Sequence, residues 1–353
     1  MLYTKEREPV PRAQNRNLAL DLLRVLACFL VIVNHTTGDL LLTLAPSGTW
    51  YALVGFFFLS KPAVPLFYLV TGTLLLGREE PVTRSLARCA RILAVLFLFS
   101  LLYYGNGLQG KPFSFSDYWA STWHAPQTRA FWYLYVYAGL MLMVPLLQRL
   151  ARGMKETEYR YLFAVLLTLL SVLPIASHLT PELWYSAYID SALMAMPLCV
   201  LLLGYYVSQK PIPRARAALL PCILLILLGA FLSVRWTARE YAKWPADYLW
   251  FDNINLATIL TPAVCWYLLS RMACARVRPD SRAARLVSAL GRDTFGVYLL
   301  ADFAQEKLQP LQTFLLGRMH MIPAVVFFQI CIFACCLPVA AVLRRLPGLR
   351  KLL

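Results

Sequence analysis

An apolar stretch near the start of the chain, residues 17–39, carries four polar side chains whose spacing could support chemistry: Asp21, Arg24, His35 and Asp39. An α-helix has about 3.6 residues per turn, so the step from Arg24 to His35 completes about three turns. The step from Asp21 to Asp39 completes about five. The spacing therefore predicts one polar stripe along a helix that is long enough to cross a bilayer, which takes about 20 apolar residues.

The chemistry of this stripe depends on what its side chains face. A charge at membrane depth costs from ~3 to more than ~10 kcal/mol, so it usually faces a cavity or a partner. Histidine can gain or lose a proton near neutral pH, and the stripe that contains His35 therefore predicts a functional site. The alternative is that Arg24 pairs with Asp21 and extends to the membrane interface, while His35 only ends the helix.

Three arginines at the start of the third apolar segment form a second candidate group: Arg84, Arg88 and Arg91. Spacings of four and three residues place their side chains on one helix face. One interpretation is that they only mark the cytoplasmic side of the membrane. The other is that they clamp an anionic cytosolic ligand such as the phosphates of coenzyme A, which the geometry of arginine suits.

Three further residues complete the candidates, each with two interpretations. Lys61 precedes Pro62 inside an apolar segment and either extends to the interface or adds positive charge to the site. Trp132 belongs either to an interfacial aromatic band or to a surface that stacks on a sugar ring. Asp302 either faces His35 across a cavity and orients its imidazole, as catalytic histidines often require, or is solvated at the interface.

Composition identifies the class of protein. The chain has 353 residues, of which 59% are hydrophobic and 15% charged, whereas globular chains average about 25% charged residues. This predicts a polytopic membrane protein with a single membrane-embedded domain over residues 1–353. The net charge of +16 does not indicate nucleic acid, because most Lys and Arg lie in short loops on alternate sides of the apolar segments. The nine cysteines are interpreted as small packing residues, with no disulfide and no metal site.

The apolar segments predict an all-α bundle of about ten transmembrane helices. The predicted helices are 18–38, 51–77, 86–105, 130–148, 160–177, 187–207, 216–234, 248–270, 286–306 and 321–343. Segment 51–77 is interrupted by prolines that break a helix, so a total of nine or eleven transmembrane helices also fits the sequence. The distribution of Lys and Arg predicts that both termini are cytoplasmic, with residues 1–16 as a flexible basic tail.

Several motifs resemble the integral-membrane acyltransferase family 3. The arginine and histidine of the first helix, Arg24 and His35, are separated by ten residues, as in that family's signature. Pro65-Leu-Phe-Tyr-Leu-Val-Thr-Gly72 resembles its second-helix motif, and Arg88-Cys-Ala-Arg91 resembles its Arg-x-x-Arg motif. The sequences Phe131-Trp-Tyr-Leu134 and Thr294-Phe-Gly-Val-Tyr298 resemble its aromatic fourth helix and its late helix. The nearest resemblance is to the enterobacterial common antigen O-acetyltransferase branch.

The resemblance implies an enzyme of the bacterial plasma membrane. Such an enzyme takes an acetyl group from cytosolic acetyl-CoA and passes it to a hydroxyl of a surface glycan or lipid-linked saccharide, without a metal. By resemblance, His35 is catalytic, Arg24 lines the path beneath it, and Arg88 and Arg91 engage the coenzyme. Arg84 is expected to join that coenzyme group because its spacing places it on the same helix face. Asp39, Lys61, Trp132 and Tyr298 are the expected substrate-binding residues.

One departure from the family pattern concerns the late helix. The family often has a histidine after Tyr-x-x, whereas here Tyr298-Leu-Leu is followed by Ala301 and Asp302. Either Asp302 takes that role or the role is absent and the acceptor differs.

A transporter or flippase is the competing function, because a polar stripe could also conduct a substrate or protons. Transporters commonly have repeated halves with paired broken helices, and the segment broken near Lys61 has no matching partner in the second half of the sequence. A purely structural scaffold would not explain why Arg24 and His35 share one stripe.

Overall fold

A computed structural model describes residues 17–173, 196–212, 215–243 and 256–353, together with residues 176 and 180. Every regular element in these ranges is helical, which confirms the predicted all-α class. The predicted basic tail, 1–16, and the first residues of the predicted segments at 187–207 and 248–270 lie outside the described residues.

The first half of the described chain contains seven α-helices. They are α1 (Leu18–Leu41), α2 (Gly48–Ser60), α3 (Ala63–Leu75), α4 (Val82–Gly107), α5 (Phe115–His124), α6 (Trp132–Gly153) and α7 (Glu156–Leu167). Asn17 caps α1, its side-chain oxygen accepting a hydrogen bond from the backbone N–H of Ala19 at 3.1 Å.

The second half contributes six more. They are α8 (Met196–Gln209), α9 (Ala215–Lys243), α10 (Leu256–Cys274), α11 (Arg282–Lys307), α12 (Gln309–Leu316) and α13 (Met321–Leu343). Six stretches in the described residues are long and apolar enough to cross a membrane: Leu18–Leu41, Gly48–Leu75, Val82–Gly107, Arg129–Gly153, Ala217–Lys243 and Met321–Leu343. Together they make this a multi-pass membrane protein, while the count of ten and the position of the termini remain predictions.

The predicted interruption of segment 51–77 is a break between two helices. α2 ends at Ser60 and α3 begins at Ala63, with Lys61 and Pro62 between them. Proline has no N–H to continue the helical ladder, so the break at Pro62 is expected, whereas Pro65 is tolerated because it lies in the first turn of α3. The break exposes backbone groups at a depth where plain helices would have none.

The first helix, α1, lies at the centre of the bundle. It packs against α2, α3, α10, α11 and α13. α1 and α11 run in the same direction, since residues early in α1 contact residues early in α11 and late residues contact late ones. The polar stripe of α1 is therefore held against other helices and not against lipid.

The closest helix crossing joins α3 to α8 through two glycines. A Cβ on Gly72 would overlap the carbonyl group of Leu201, and a Cβ on Gly204 would overlap that of Leu69. Small residues allow membrane helices to approach until their backbones touch. α3 is thereby fixed at its cavity-lining end, where Thr71 and Leu74 lie on the wall described below.

Replacement of Gly72 by alanine is expected to destabilise the protein by about 1–3 kcal/mol or more, because the new methyl group can only be placed by separating two backbones. The measurement is thermal denaturation of the purified protein in detergent. Gly139→Ala in α6 is the matched control, because no atom outside that helix lies within 4 Å of the new Cβ. Equal melting temperatures for the two variants would contradict the close crossing.

Candidate active site

The polar stripe of α1 follows α11 along its length. The Cys28 Sγ lies 3.4 Å from the carbonyl oxygen of Thr294. About two turns further along α1, His35 contacts Asp302, and about three turns further along, Gln305 Nε2 donates a hydrogen bond to Asp39 Oδ2 at 2.8 Å. The two helices together therefore position His35 and Asp39, the titratable side chains in the second half of the stripe.

His35 and Asp302 form a nearly buried pair. The His35 Nδ1 lies 2.7 Å from the Asp302 Oδ1, and the two side chains are only 15% and 10% exposed. An ionised carboxylate can only accept hydrogen bonds, so the contact favours a proton on Nδ1. In the neutral imidazole this arrangement leaves the lone pair on Nε2, as a general base requires, and Nε2 makes no hydrogen bond to the described residues.

The segment that precedes α6 closes over the second oxygen of Asp302. Asp302 Oδ2 accepts hydrogen bonds from the Thr128 hydroxyl and from the Ala130 N–H at 3.2 Å. The Tyr298 hydroxyl donates to the carbonyl oxygen of Ala130. These contacts fix the carboxylate that faces His35, and sequence reasoning missed Thr128 and Ala130 because no spacing relates a loop to a helix 170 residues later.

Asp39, an expected substrate-binding residue, is engaged within the protein. Arg129 forms a two-pronged ion pair with it, in which Nη2 donates to Oδ2 at 2.9 Å, and Gln305 donates to the same oxygen. Paired hydrogen bonds between arginine and a carboxylate fix geometry as well as charge. Asp39 therefore ties the loop before α6 to α1 and α11, one helical turn beyond His35.

Lys61 lies at the same depth as His35. Asn34, the neighbour of His35, donates a hydrogen bond from Nδ2 to the hydroxyl oxygen of Ser60 at 3.0 Å, and Lys61 follows Ser60 directly. The Lys61 ammonium lies 4.0 Å from the centre of the Phe57 ring, a cation–π distance. The helix break thus brings a positive charge to the level of the His35–Asp302 pair.

A cavity of about 610 Å³ occupies the other end of the bundle. Six arginines line it: Arg24, Arg88, Arg91, Arg292, Arg344 and Arg350. Arg24 also donates to Asp21 Oδ1 at 3.0 Å. Of the three arginines that were predicted to bind the coenzyme, Arg88 and Arg91 lie on the cavity wall. Arg84 lies outside it, with a side chain that is 62% exposed and 3.5 Å from Glu80.

A cluster of three aromatic rings lines the cavity around Tyr298. The centres of the Phe67, Tyr133 and Tyr298 rings lie 5.8, 6.0 and 6.4 Å apart in pairs, and all three rings line the cavity. Tyr298 precedes Asp302 by one helical turn, about 6 Å along α11. His35 and Asp302 are not on the cavity wall, so Tyr298 is the lining residue of α11 that lies nearest to the pair along that helix.

Trp132 does not line this cavity. Its side chain is 45% exposed, while the next residue, Tyr133, is buried and lies on the wall. Tyr133, Tyr137 and Met141 all line the cavity, and their spacing of four is the sequence signal that would have found this face of α6. Tyr298 is the one expected substrate-binding residue that the cavity includes.

Comparison with known proteins gives one match. A family model described as an acyltransferase domain, of acyltransferase family 3, matches residues 17–343. No curated protein and no solved structure matches the chain. Among the described residues, no group of three or more His, Cys, Asp or Glu side chains is arranged to hold a metal ion.

Proposed function

Because the chain belongs to acyltransferase family 3 and is a membrane acyltransferase, we propose that it moves an acetyl group from acetyl-CoA to a hydroxyl of a surface polysaccharide or a lipid-linked sugar. The observation that carries this proposal is the nearly buried His35–Asp302 pair next to the closed end of a basic cavity. The enzyme would act in the bacterial plasma membrane, with the basic end of the bundle in the cytosol.

The cavity suits the donor in charge and in shape. Acetyl-CoA carries its phosphates at one end and its thioester at the other, joined by a thin flexible arm. Six arginines share the cavity wall with aromatic and apolar side chains, among them Phe67, Tyr133 and Tyr298. The donor would therefore enter with the thioester leading and the phosphates held at the mouth.

Arg24 and His35 serve different parts of this reaction. The step of eleven residues from Arg24 to His35 spans about 16 Å along α1 at 1.5 Å per residue, so the two side chains cannot act on one reacting atom. Arg24 lines the donor cavity and is assigned to the donor path. Asp302 acts through His35 and is assigned as a positioning residue.

His35 would act as general base at the acceptor. Nε2 takes the proton of the acceptor hydroxyl while its oxygen attacks the thioester carbonyl. Asp302 stabilises the imidazolium that forms. The C–S bond then breaks, the new C–O ester bond remains, and the imidazolium returns its proton to the departing thiolate. Lys61, at the same depth, would offset the negative charge that develops on the carbonyl oxygen.

The three rings set a condition for this step. Since His35 is not on the cavity wall, the thioester would have to pass the cluster of Phe67, Tyr133 and Tyr298 to reach Nε2, and the three rings would have to separate. The acceptor would approach from the opposite side, where Asp39 and Arg129 form an exposed ion pair. Donor and acceptor would thus enter from opposite ends of the bundle.

The test uses purified protein in liposomes, acetyl-CoA labelled in its acetyl group, and an extract of lipid-linked glycans. The proposal predicts label in an alkali-labile ester on the glycan fraction, and none with protein-free liposomes. No label on any acceptor, together with solute uptake by the vesicles, would instead support a transporter.

A further inference from the structure

The six arginines of the cavity are not equally available to a ligand. Arg24 donates to Asp21 at 3.0 Å, Arg88 lies 2.5 Å from Glu80, and Arg344 Nε donates to Asp293 at 2.6 Å. Three of the cations are therefore offset by carboxylates of the protein. An incoming phosphate would have to displace a carboxylate to bind any of them fully.

The pair of Arg88 and Glu80 shows this most clearly. The Glu80 carboxyl is 3% exposed, and its hydrogen bond with Arg88 lowers the pKa of Glu80, with Arg84 adding to the effect. Glu80 is therefore ionised near neutral pH, and its charge offsets that of Arg88. Arg88, one of the two arginines of α4 that line the cavity, thus has its charge largely offset within the protein.

Arg91 donates hydrogen bonds to the backbone of the C-terminal segment. Its Nε donates to the carbonyl oxygen of Leu352 at 2.8 Å, and its Nη2 lies 3.3 Å from that of Leu353. Leu352 and Leu353 pack against the main hydrophobic core, and Leu353 also lines the cavity. Arg91 therefore fastens the last residues of the chain as one wall of the cavity.

Two arginines on the cavity wall remain. Arg292, in α11, and Arg350, in the 3-10 turn Leu349–Lys351, have exposed side chains and make no ion pair or side-chain hydrogen bond with the described residues. A planar guanidinium without a partner is well suited to bind phosphate through paired hydrogen bonds. One lies on α11, and the other lies in the segment that Arg91 of α4 anchors.

We propose that the phosphates of the acyl donor bind to Arg292 and Arg350, and that Arg91 positions the segment that carries Arg350 without binding phosphate itself. This inference rests on the proposed function and deepens it. The phosphate site is thereby formed by Arg292 of α11 and Arg350 of the C-terminal segment, and not by the arginines of α4. The ligand class is a nucleoside polyphosphate that carries a thioester arm.

The test is equilibrium binding of coenzyme A to the full-length purified protein. Arg292→Ala and Arg350→Ala are each expected to weaken binding by about 10- to 100-fold, the effect of losing a charge-assisted hydrogen-bonded pair. Arg345→Ala is the matched control, since Arg345 is an exposed arginine near Arg350 that does not line the cavity. It should bind coenzyme A within about twofold of the wild type, as ordinary surface substitutions do.

A second readout separates positioning by Arg91 from direct binding. Arg91→Ala is expected to speed tryptic cleavage within residues 344–353, because the segment loses its two anchoring hydrogen bonds. Arg292→Ala should leave that cleavage rate unchanged while weakening binding. Unchanged cleavage in Arg91→Ala would overturn the positioning role.

Different results would overturn the assignment of the phosphate site and the proposed function. Wild-type affinity for coenzyme A in both Arg292→Ala and Arg350→Ala, with loss of affinity in Arg88→Ala, would overturn this inference and leave the acyltransferase reaction in place. Absence of coenzyme A binding and of acetyl transfer in the wild-type protein would overturn the proposed donor.

Discussion

Replacement of His35 by alanine is expected to reduce kcat for acetyl transfer by about 10²- to 10⁴-fold, the usual contribution of a general base. The physical reason is that Nε2 of His35 has no hydrogen-bond partner among the described residues and is the group available to accept the proton of the acceptor. The measurement is the initial rate of ester formation at saturating acetyl-CoA in liposomes.

Binding of coenzyme A should survive this substitution. His35 does not line the cavity, so the dissociation constant of coenzyme A for His35→Ala should equal that of the wild type. His320→Ala is a matched control on the same residue type, because His320 is exposed and only caps α13. A His35→Ala protein that keeps its rate would exclude His35 as the base.

Replacement of Asp302 by asparagine is expected to reduce kcat by about 10²- to 10⁴-fold, as the loss of the carboxylate partner does in other histidine-dependent acyl transfers. An amide keeps the shape of the side chain but removes the charge that stabilises the imidazolium. Its NH2 group can also donate to Nδ1, which would select the wrong tautomer of His35. The KM for acetyl-CoA should change little, because Asp302 does not line the cavity.

Glu306→Gln provides the matched control for Asp302→Asn. Glu306 lies one helical turn further along α11, where both of its carboxylate oxygens accept from Asn106 at 2.8 Å. This substitution removes a carboxylate of the same helix without touching His35, and kcat should stay within about twofold, as ordinary surface changes leave function intact. Equal losses in the two variants would show that Asp302 is needed only for the fold.

Parts of this site could be predicted from the sequence because helix periodicity fixes them. The period of 3.6 places Asp21, Arg24, His35 and Asp39 along one side of α1, and the structure lays that side against α11 and the cavity. The same rule made Asp302 a candidate partner of His35, although it could not decide between a contact and a solvated side chain. Tertiary packing of α1 on α11 decides this, at 2.7 Å.

Other parts could not be predicted, because they depend on how a helix begins or how a loop lies. Arg84 shares a spacing with Arg88, yet it lies in the first turn of α4, beside Glu80 and outside the cavity. Trp132 is the first residue of α6, and its side chain is 45% exposed, whereas the ring of the adjacent Tyr133 lines the cavity. The contact of Thr128 with Asp302 exists only once the loop before α6 has packed over α11.

The decisive measurement is acetyl transfer across a sealed vesicle. The orientation of each vesicle preparation is measured on a separate aliquot, by whether external protease reaches the C-terminal segment that carries Arg350. Membrane-impermeant acetyl-CoA is added outside to untreated vesicles with a hydroxyl acceptor trapped inside. Entry of donor and acceptor from opposite ends predicts internal ester only in vesicles with the Arg350 end outward, and none when the orientation is reversed. Ester formation that requires donor and acceptor on the same side of the membrane would contradict it.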